Sequence, residues 1–298
     1  MGTVNPSKVA IIGCGFVGSA SAFALMQSGL FNEMVLLDVN NDKAEGEARD
    51  IAHGLPFVRP MKIYAGGYDD IADAAIIVIT AGANQKPDET RLDLVHKNVS
   101  IFESIIPEIT NRDYEGILLV VANPVDILTY TALKLSGYPE NRVIGSGTVL
   151  DSARLKYHLG EHLGVDSRSV HAFIVGEHGD SEIAAWSSAN ISGIPLDNFC
   201  EMRGHYNHME ATERIAAEVK QSAYEIISKK GATYYGIAMS VKRICEAIIR
   251  DEKSILPIST MLHGEYGISD VVLSLPCIVG RDGYETKVPI DLDQEEVS

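Results

Sequence analysis

Short apolar segments alternate with helical segments along the first half of the chain, from Lys8 to about Gly147. The runs VAIIG, AAIIVI and ILLVV contain no polar positions, a composition typical of strands buried on both faces of a sheet. Segments such as FVGSASAFALMQSG and LDLVHKNVSIFESIIPEI lie between such runs and have helical patterns. This order predicts an α/β domain over residues 1–147, a doubly wound parallel sheet with helices on both faces.

The pattern changes after Thr148. One helix is predicted over about 149–163, and two longer helices over about 206–229 and 233–250. The apolar segments ILPISTML and VVLSLPCIVG follow them and predict antiparallel strands. Residues 148–298 are therefore expected to form an α+β substrate domain that packs tightly against the first. The acidic segment DQEEVS is expected to open a helix that would continue past Ser298.

The turn after the first strand carries glycines in the spacing that binds dinucleotides. Gly13, Gly15 and Gly18 form G-x-G-x-x-G between the strand VAIIG and a helix. The first glycine permits a tight turn, the second lets a pyrophosphate approach the backbone, and the third lets helix and strand pack closely. The strand MVLLD ends in Asp38, whose carboxylate can bind both ribose hydroxyls and would repel a 2′-phosphate. The motif predicts a Rossmann domain that binds NAD rather than NADP.

The composition excludes several other classes of protein. The chain has 25 Lys and Arg against 41 Asp and Glu, and its net charge of −16 repels nucleic acid. Its apolar runs are shorter than the roughly 18 residues of a membrane span, and the first segment lacks the features of a signal peptide. We therefore expect no nucleic-acid or membrane partner and a cytoplasmic location. The four widely spaced cysteines are expected to be buried thiols.

An imidazole, a carboxylate and a guanidinium are predicted to meet at one cleft. His178 follows an apolar strand in VGEHGDS, and Asp151 and Arg154 lie one helical turn apart, so they share a face. These are the groups that hydride transfer to a 2-oxo acid requires. Asp151 is expected to raise the pKa of His178 by favouring its charged form. A zinc site at His158 and His162, which match H-x-x-E-H, lacks an evident third ligand, and no metal is expected.

Five motifs, in their order and spacing, resemble the L-lactate dehydrogenase family, within the wider lactate/malate dehydrogenase superfamily. They are GCGFVG, AGANQKPDETRLDL, ANPVDILTY, GTVLDSARL and VGEHGDSE. The resemblance covers about residues 8–290. It implies reversible, NADH-dependent reduction of pyruvate to L-lactate, as in fermentation linked to glycolysis. It also implies that His178 donates and accepts the proton, that Asp151 orients His178, and that Arg154 binds the substrate carboxylate.

The resemblance implies roles for further residues. Arg91 would polarise the reacting carbonyl from a mobile loop, and Asn123 would assist at the nicotinamide and the substrate. Gln85 and Thr233 would line the substrate pocket. Asp88 stands in the loop where the family commonly has Gly, which is expected to alter the motion of the loop. The cofactor-binding residues expected from the family pattern are Gly13, Gly15, Val17, Gly18, Asp38, Gly82, Ala83 and Asn123.

The substrate is expected to be pyruvate because of Gln85. Malate enzymes of the superfamily carry Arg at this position, whereas an uncharged amide leaves space for a methyl group and offers no counterion to a second carboxylate. Three alternatives stay open at this point. They are a malate dehydrogenase, a dehydrogenase for bulkier 2-hydroxy acids, and an NAD-binding sensor without turnover.

An allosteric site is also implied. Many bacterial relatives bind fructose 1,6-bisphosphate at a subunit interface through an Arg and a His, and this chain has Lys156 and His171 at those positions. Lys156 offers a point charge in place of a phosphate-binding fork, so we expect weakened binding. The family also implies a homotetramer.

Overall fold

The computed structural model describes residues 4–83 and 90–297, and its first half alternates strands with helices as the sequence predicts. The elements of this half are β1 (Asn5–Ile12), α1 (Phe16–Ser28), β2 (Glu33–Leu37), α2 (Asn41–Ala52), β3 (Lys62–Ala65), α3 (Tyr68–Ile71), β4 (Ala74–Ile79), α4 (Arg91–Thr110), β5 (Ile117–Val120), α5 (Val125–Ser136) and β6 (Val143–Gly145).

The six strands of this half are parallel and lie in the spatial order β3, β2, β1, β4, β5, β6. The apolar run in β4 is buried at all six positions, because core clusters form on both faces of the sheet. The strand order reverses between β1 and β4. In doubly wound sheets the carboxyl ends of such strands border the ligand-binding crevice, so the topology places a binding site beside the glycine turn.

The second half mixes short strands with long helices. Its elements are α6 (Val149–Leu163), β7 (Val170–His171), β8 (Ile174–Val175), β9 (Ile183–Ala184), β10 (Asn190–Ile191), β11 (Ile194–Pro195), α7 (Leu196–Met202), α8 (His208–Lys230), α9 (Tyr235–Ile249), β12 (Ser254–His263), β13 (Ser269–Gly280), β14 (Gly283–Lys287) and α10 (Gln294–Val297). The predicted α6 is confirmed at both ends, and α8 and α9 begin and end close to the predicted positions.

The three long strands of the second half are antiparallel, as predicted, but they continue the first sheet. β12 pairs with β6 at Ser259 and Gly145, and β13 and β14 follow on its far side. Nine strands therefore form one sheet within the described residues. The sequence pattern does not predict this continuation, because pairing between distant segments leaves no local periodicity.

Two further expectations concern the whole chain. The four cysteines, Cys14, Cys200, Cys245 and Cys277, are free and buried, which confirms the prediction of buried thiols. In the part of the chain that the structure describes, no helix combines the length and the apolar character needed to cross a bilayer.

Candidate active site

Three glycines shape the turn between β1 and α1, each for a different steric reason. Gly13 has a φ of +102°, and a Cβ there would lie 2.5 Å from the backbone nitrogen of Ala81. A Cβ on Gly18 would lie 1.8 Å from the carbonyl oxygen of Gly13, so only glycine lets α1 pack this closely. A Cβ on Gly15 would meet nothing within 4 Å. The protein itself leaves open space at Gly15, and this space fits the approach of a pyrophosphate.

A cavity of about 750 Å³ opens beside this turn. Gly13, Gly15, Asp38 and Gly82 are among the residues that line it. The Asp38 carboxylate is fixed next to the glycine turn, because its Oδ2 accepts a hydrogen bond from the backbone N–H of Cys14 at 2.6 Å. The open space at Gly15 fits a dinucleotide. The Asp38 carboxylate, which follows β2, fits one that lacks a 2′-phosphate.

Four other residues predicted for this site do not line the cavity, and one of them, Asn123, lines a second cavity instead. Val17 packs against the hydrophobic core, and Gly18 supports the turn from behind, as its contact with Gly13 shows. The backbone N–H of Ala83 donates to Oδ1 of Asn98 at 2.7 Å. Val17, Gly18 and Ala83 therefore support the backbone around the cavity and do not form its surface.

The predicted imidazole, carboxylate and guanidinium are in direct contact. Nδ1 of His178 lies 2.6 Å from Oδ2 of Asp151, and Nη1 of Arg154 donates to Oδ1 of Asp151 at 2.8 Å. Asp151 is 2% exposed, so these two groups rather than water balance its charge. Ser152 accepts the backbone N–H of Ile174 at 2.8 Å, which fixes the first turn of α6 beside β8. The histidine that follows β8 is thereby held against the carboxylate on α6.

These side chains line a cavity of about 550 Å³. The lining from α8 combines the apolar residues Val219, Ala223 and Ile227 with Lys220 and Tyr224. Asn123 also lines the cavity, and its carbonyl oxygen accepts a hydrogen bond from Nδ2 of Asn98 at 2.7 Å. The first turn of α4 borders this cavity, and the middle of α4 borders the cavity at the glycine turn. One helix therefore connects the two sites.

The contact between His178 and Asp151 favours the charged form of both groups. Burial alone would lower the pKa of His178, but the hydrogen bond and charge of Asp151, with smaller contributions from Asp126 and Glu182, raise it above its ordinary value. Burial would raise the pKa of Asp151, but His178 and then Arg154 lower it. The prediction that Asp151 raises the pKa of the histidine is confirmed.

The sequence analysis missed two buried acids near His178. Asp126, on α5, accepts the backbone N–H of His178 at 2.8 Å and also accepts the Ser259 hydroxyl. Burial raises the pKa of Asp126 above its ordinary value. Glu182 is 4% exposed and lines the cavity. A lone acid in the apolar segment PVDILTY is a signal that could have identified Asp126, whereas Glu182 follows other polar residues and gives no such signal.

The remaining predicted substrate residues are Arg91, Gln85 and Thr233. Arg91 is the first residue of α4, next to residues that line the cavity, but its side chain is outside the described part of the structure. Gln85, like Asp88, lies outside the described residues. Thr233 is partly buried in the connection between α8 and α9 and is not among the residues that line the cavity.

The predicted effector residues are not in contact with each other within the described chain. Nζ of Lys156 lies 5.7 Å from the centre of the Phe173 ring. Burial, with the nearby charge of Arg243, lowers the pKa of Lys156. His171 is exposed on β7. A shared ligand would have to bridge the two residues.

The H-x-x-E-H pattern on α6 does not form a metal site in the described ranges. Nδ1 of His158 lies 3.3 Å from a carboxylate oxygen of Glu218, and the ring of His162 packs against that of His205 with centres 4.3 Å apart. His158 therefore takes part in the packing of α6 against α8, and His162 in the packing of α6 against the segment that leads into α8.

Two family descriptions match nearly the whole chain. The one described as lactate/malate dehydrogenase, NAD binding domain, matches residues 7–145. The one described as lactate/malate dehydrogenase, alpha/beta C-terminal domain, matches residues 148–298.

Individual proteins are similar over the same length. An L-lactate dehydrogenase of Acetivibrio thermocellus is 56% identical over 97% of this chain and 92% of that protein. An L-lactate dehydrogenase of Thermoanaerobacterium saccharolyticum is 54% identical over 98% of this chain and 94% of that protein. The crystal structure of the minor L-lactate dehydrogenase from Enterococcus mundtii in its ligands-bound form superposes with a TM-score of 0.95 at 44% identity, covering 98% of this chain and 94% of that one.

Proposed function

The chain belongs to the lactate/malate dehydrogenase family, and we propose that it is an NAD-dependent L-lactate dehydrogenase that interconverts pyruvate and L-lactate. The observation that carries this proposal is the contact of His178 with Asp151 at 2.6 Å, in a cavity that Arg154 also lines. Reduction of a 2-oxo acid needs three groups: a proton donor, an acid that holds this donor in place, and a guanidinium that can bind the carboxylate of the substrate.

His178 donates the proton in one direction and accepts it in the other. Asp151 engages Nδ1, which leaves Nε2 to face the substrate. In pyruvate reduction the Nε2 proton passes to the carbonyl oxygen as negative charge develops on it. In lactate oxidation a neutral Nε2 accepts the hydroxyl proton, and Asp151 stabilises the imidazolium that forms. When bound, NADH would supply the hydride for reduction, and NAD would accept it in oxidation.

Arg154 holds the carboxylate that pyruvate and lactate share. Its Nη1 bonds Asp151, so the guanidinium is oriented before the substrate binds. A planar guanidinium can donate two parallel hydrogen bonds to a carboxylate, which an ammonium group cannot do. The Arg154 side chain is 13% exposed, so the ion pair with the substrate is shielded from water. Arg91 would polarise the reacting carbonyl, and Asn123, which lines the cavity, would assist at the nicotinamide and the substrate.

We assign the dinucleotide to residues 1–147 and most of the catalytic side chains to residues 148–298. Gly15 provides the approach for the pyrophosphate, and Asp38 accepts hydrogen bonds from the ribose and repels a 2′-phosphate. The full set proposed for this site is Gly13, Gly15, Val17, Gly18, Asp38, Gly82, Ala83 and Asn123.

Pyruvate rather than oxaloacetate is the proposed substrate. The apolar side chains of Val219, Ala223 and Ile227 on α8 suit a methyl group. Gln85 and Thr233 are proposed to complete this pocket. The alternative within the family is a malate dehydrogenase.

Three further properties belong to the proposal. Lys156 and His171 would bind fructose 1,6-bisphosphate, and a phosphate would be a counterion for the partly buried Lys156 ammonium. The protein would assemble as a homotetramer. A cytoplasmic location agrees with four cysteines that are all free, since reducing compartments keep thiols unpaired.

The decisive experiment is the loss of NADH absorbance when the purified protein is mixed with 2-oxo acids. We expect rapid turnover of pyruvate, at least about a hundredfold lower kcat/KM with oxaloacetate, and lower rates with longer side chains. His178→Asn should bind NADH but not turn over, which separates catalysis from cofactor binding. NADH binding by the wild-type protein without turnover of any 2-oxo acid would instead identify a sensor.

The effector is tested separately. We expect millimolar fructose 1,6-bisphosphate to lower the KM for pyruvate. Gel filtration coupled to light scattering, with and without the effector, measures the oligomeric state. Equal pyruvate affinity with and without effector across pH would contradict the proposed site.

A further inference from the structure

Glu182 is a buried acid that the proposed mechanism does not use. It lies in the turn that follows His178 and directly precedes β9. Its backbone N–H donates to the carbonyl oxygen of Gly179 at 3.2 Å, and its side chain is among those that line the active-site cavity. Only 4% of the residue is exposed. An acid buried to this extent is costly unless it is neutral or interacts with a nearby positive charge.

The carboxylate of Glu182 belongs to the same cluster as the catalytic pair. One oxygen of Glu182, one oxygen of Asp151 and a ring nitrogen of His178 all lie within 4.8 Å of one another. The two oxygens of Asp151 already bond His178 and Arg154. Glu182 therefore places a second negative charge near the imidazole at a distance where Coulomb interaction in a buried site is strong.

Charged groups from several elements face the pair formed by Glu182 and His178. They are Asp151 and Arg154 from α6, Asp126 from α5, Glu177 and Asp180 from the turn after β8, and Lys220 from α8. Nζ of Lys220 donates to the carbonyl oxygen of Asp180 at 3.3 Å, and the hydroxyl of Tyr224 donates to its carboxylate. Glu182 thus feels the charges of Lys220 on α8, Arg154 on α6 and His178.

These neighbours give Glu182 and His178 linked titrations. Burial raises the pKa of Glu182 to about 7, and the charge of Asp151 adds to this effect, while His178, Lys220 and Arg154 oppose it. In the other direction, the charge of Glu182 adds to those of Asp151 and Asp126 in raising the pKa of His178. Each group therefore favours the charged form of the other.

We propose that Glu182 is a positioning residue for proton transfer, whose carboxylate adds to Asp151 in keeping His178 protonated and thereby extends pyruvate reduction to higher pH. The inference rests on the role proposed above for His178. Asp151 orients the imidazole through a hydrogen bond, whereas Glu182 acts through its charge alone. Removal of that charge, with the shape of the side chain conserved, should change the pH profile more than the rate at low pH.

The test is the variant Glu182→Gln, measured as kcat/KM for pyruvate against pH. We expect the falling limb of the profile to move down by at least about half a pH unit, because the imidazolium loses a neighbouring negative charge. At pH values below the limb, kcat should stay within about threefold of wild type. Glu182→Asp keeps the charge and should recover much of the shift. The matched control is Glu225→Gln on the exposed side of α8, which should leave the profile unchanged.

A second measurement does not depend on turnover. The ring signals of His178 can be titrated by NMR in protein without NADH or pyruvate, and Glu182→Gln should lower the pKa of His178 by the same amount as the kinetic limb. If both the limb and the NMR titration of Glu182→Gln match wild type within about 0.2 pH unit, Glu182 is only structural and the inference is overturned. If Glu182→Gln does not fold, Glu182→Asp provides the same comparison with a smaller expected shift.

These outcomes separate this inference from the proposed function. A wild-type protein that fails to oxidise NADH with pyruvate would contradict the function, while the NMR titration would still decide whether Glu182 and His178 are coupled. An active wild-type protein with no coupling in the NMR titration would contradict this inference alone.

Discussion

The backbone N–H of His178 donates a hydrogen bond to Oδ2 of Asp126 at 2.8 Å. Asp126 lies on α5, while the imidazole of the same histidine bonds Asp151 on α6. The main chain and the ring of His178 are thus held by two different helices. Substitution of Asp126 should therefore act on the main chain of His178, whereas substitution of Asp151 should act directly on its ring.

Replacement of Asp151 by Asn tests the partner of the imidazole. We expect kcat/KM for pyruvate to fall by at least about a hundredfold, because the imidazolium loses its negative partner and its fixed orientation. NADH affinity should stay nearly unchanged, since Asp151 does not line the cavity at the glycine turn. Steady-state kinetics and NADH fluorescence titration measure the two effects. Turnover at the wild-type rate would show that Asp151 does not have the assigned role.

The two directions of the reaction should respond to pH in opposite ways. The pKa of His178 is raised above its ordinary value, chiefly through Asp151 acting against burial. Pyruvate reduction needs the imidazolium. Its rate should therefore be highest below this raised pKa and should fall as the pH rises through it. Lactate oxidation needs the neutral imidazole and should rise over the same range. Rates in both directions across pH, at saturating cofactor, provide the measurement, and parallel trends would exclude His178 as the shared proton carrier.

Two glycine substitutions should separate cofactor binding from folding. In Gly15→Ala the new methyl group meets no protein atom, so the free energy of unfolding should stay within about 0.5 kcal/mol of wild type. NADH affinity should fall by about tenfold or more, since the methyl group occupies the space proposed for the pyrophosphate. Gly18→Ala brings a methyl group to 1.8 Å from a carbonyl oxygen and should destabilise the protein by about 1–3 kcal/mol or more.

Denaturant unfolding and NADH titration of both variants check this separation. Wild-type NADH affinity in Gly15→Ala would show that the open space beside the turn is not where the pyrophosphate binds.

The variant Gln85→Arg should move the preference toward oxaloacetate. A guanidinium near the substrate side chain would pair with a second carboxylate, whereas pyruvate would face an unpaired buried charge. Making or breaking a buried charge pair changes binding by about 2 to 5 kcal/mol, so the ratio of kcat/KM values should shift by at least roughly a hundredfold. Arg154 is unchanged, and catalysis should persist. If the preference for pyruvate stayed within about tenfold of wild type, Gln85 would not line the substrate pocket as proposed.

Much of the local structure could be predicted from the sequence because it depends on neighbouring residues. The buried strands of the parallel sheet, the glycine turn and the bounds of α6 follow from apolar periodicity and from steric needs within a few residues. The pairing of Asp151 with Arg154 is of the same kind, since residues three apart on a helix share a face.

Tertiary packing determined how the two halves share one sheet and which acids surround His178. β12 continues the parallel sheet by pairing Ser259 with Gly145 of β6, a pairing that local pattern does not encode. Asp126 and Glu182 reach His178 only because α5, α6 and the turn before β9 converge on one cavity. The burial that raises the pKa of Glu182 to about 7 comes from surrounding elements, not from its neighbours in sequence. Desolvation and long-range charge depend on distances that arise only when the chain has folded.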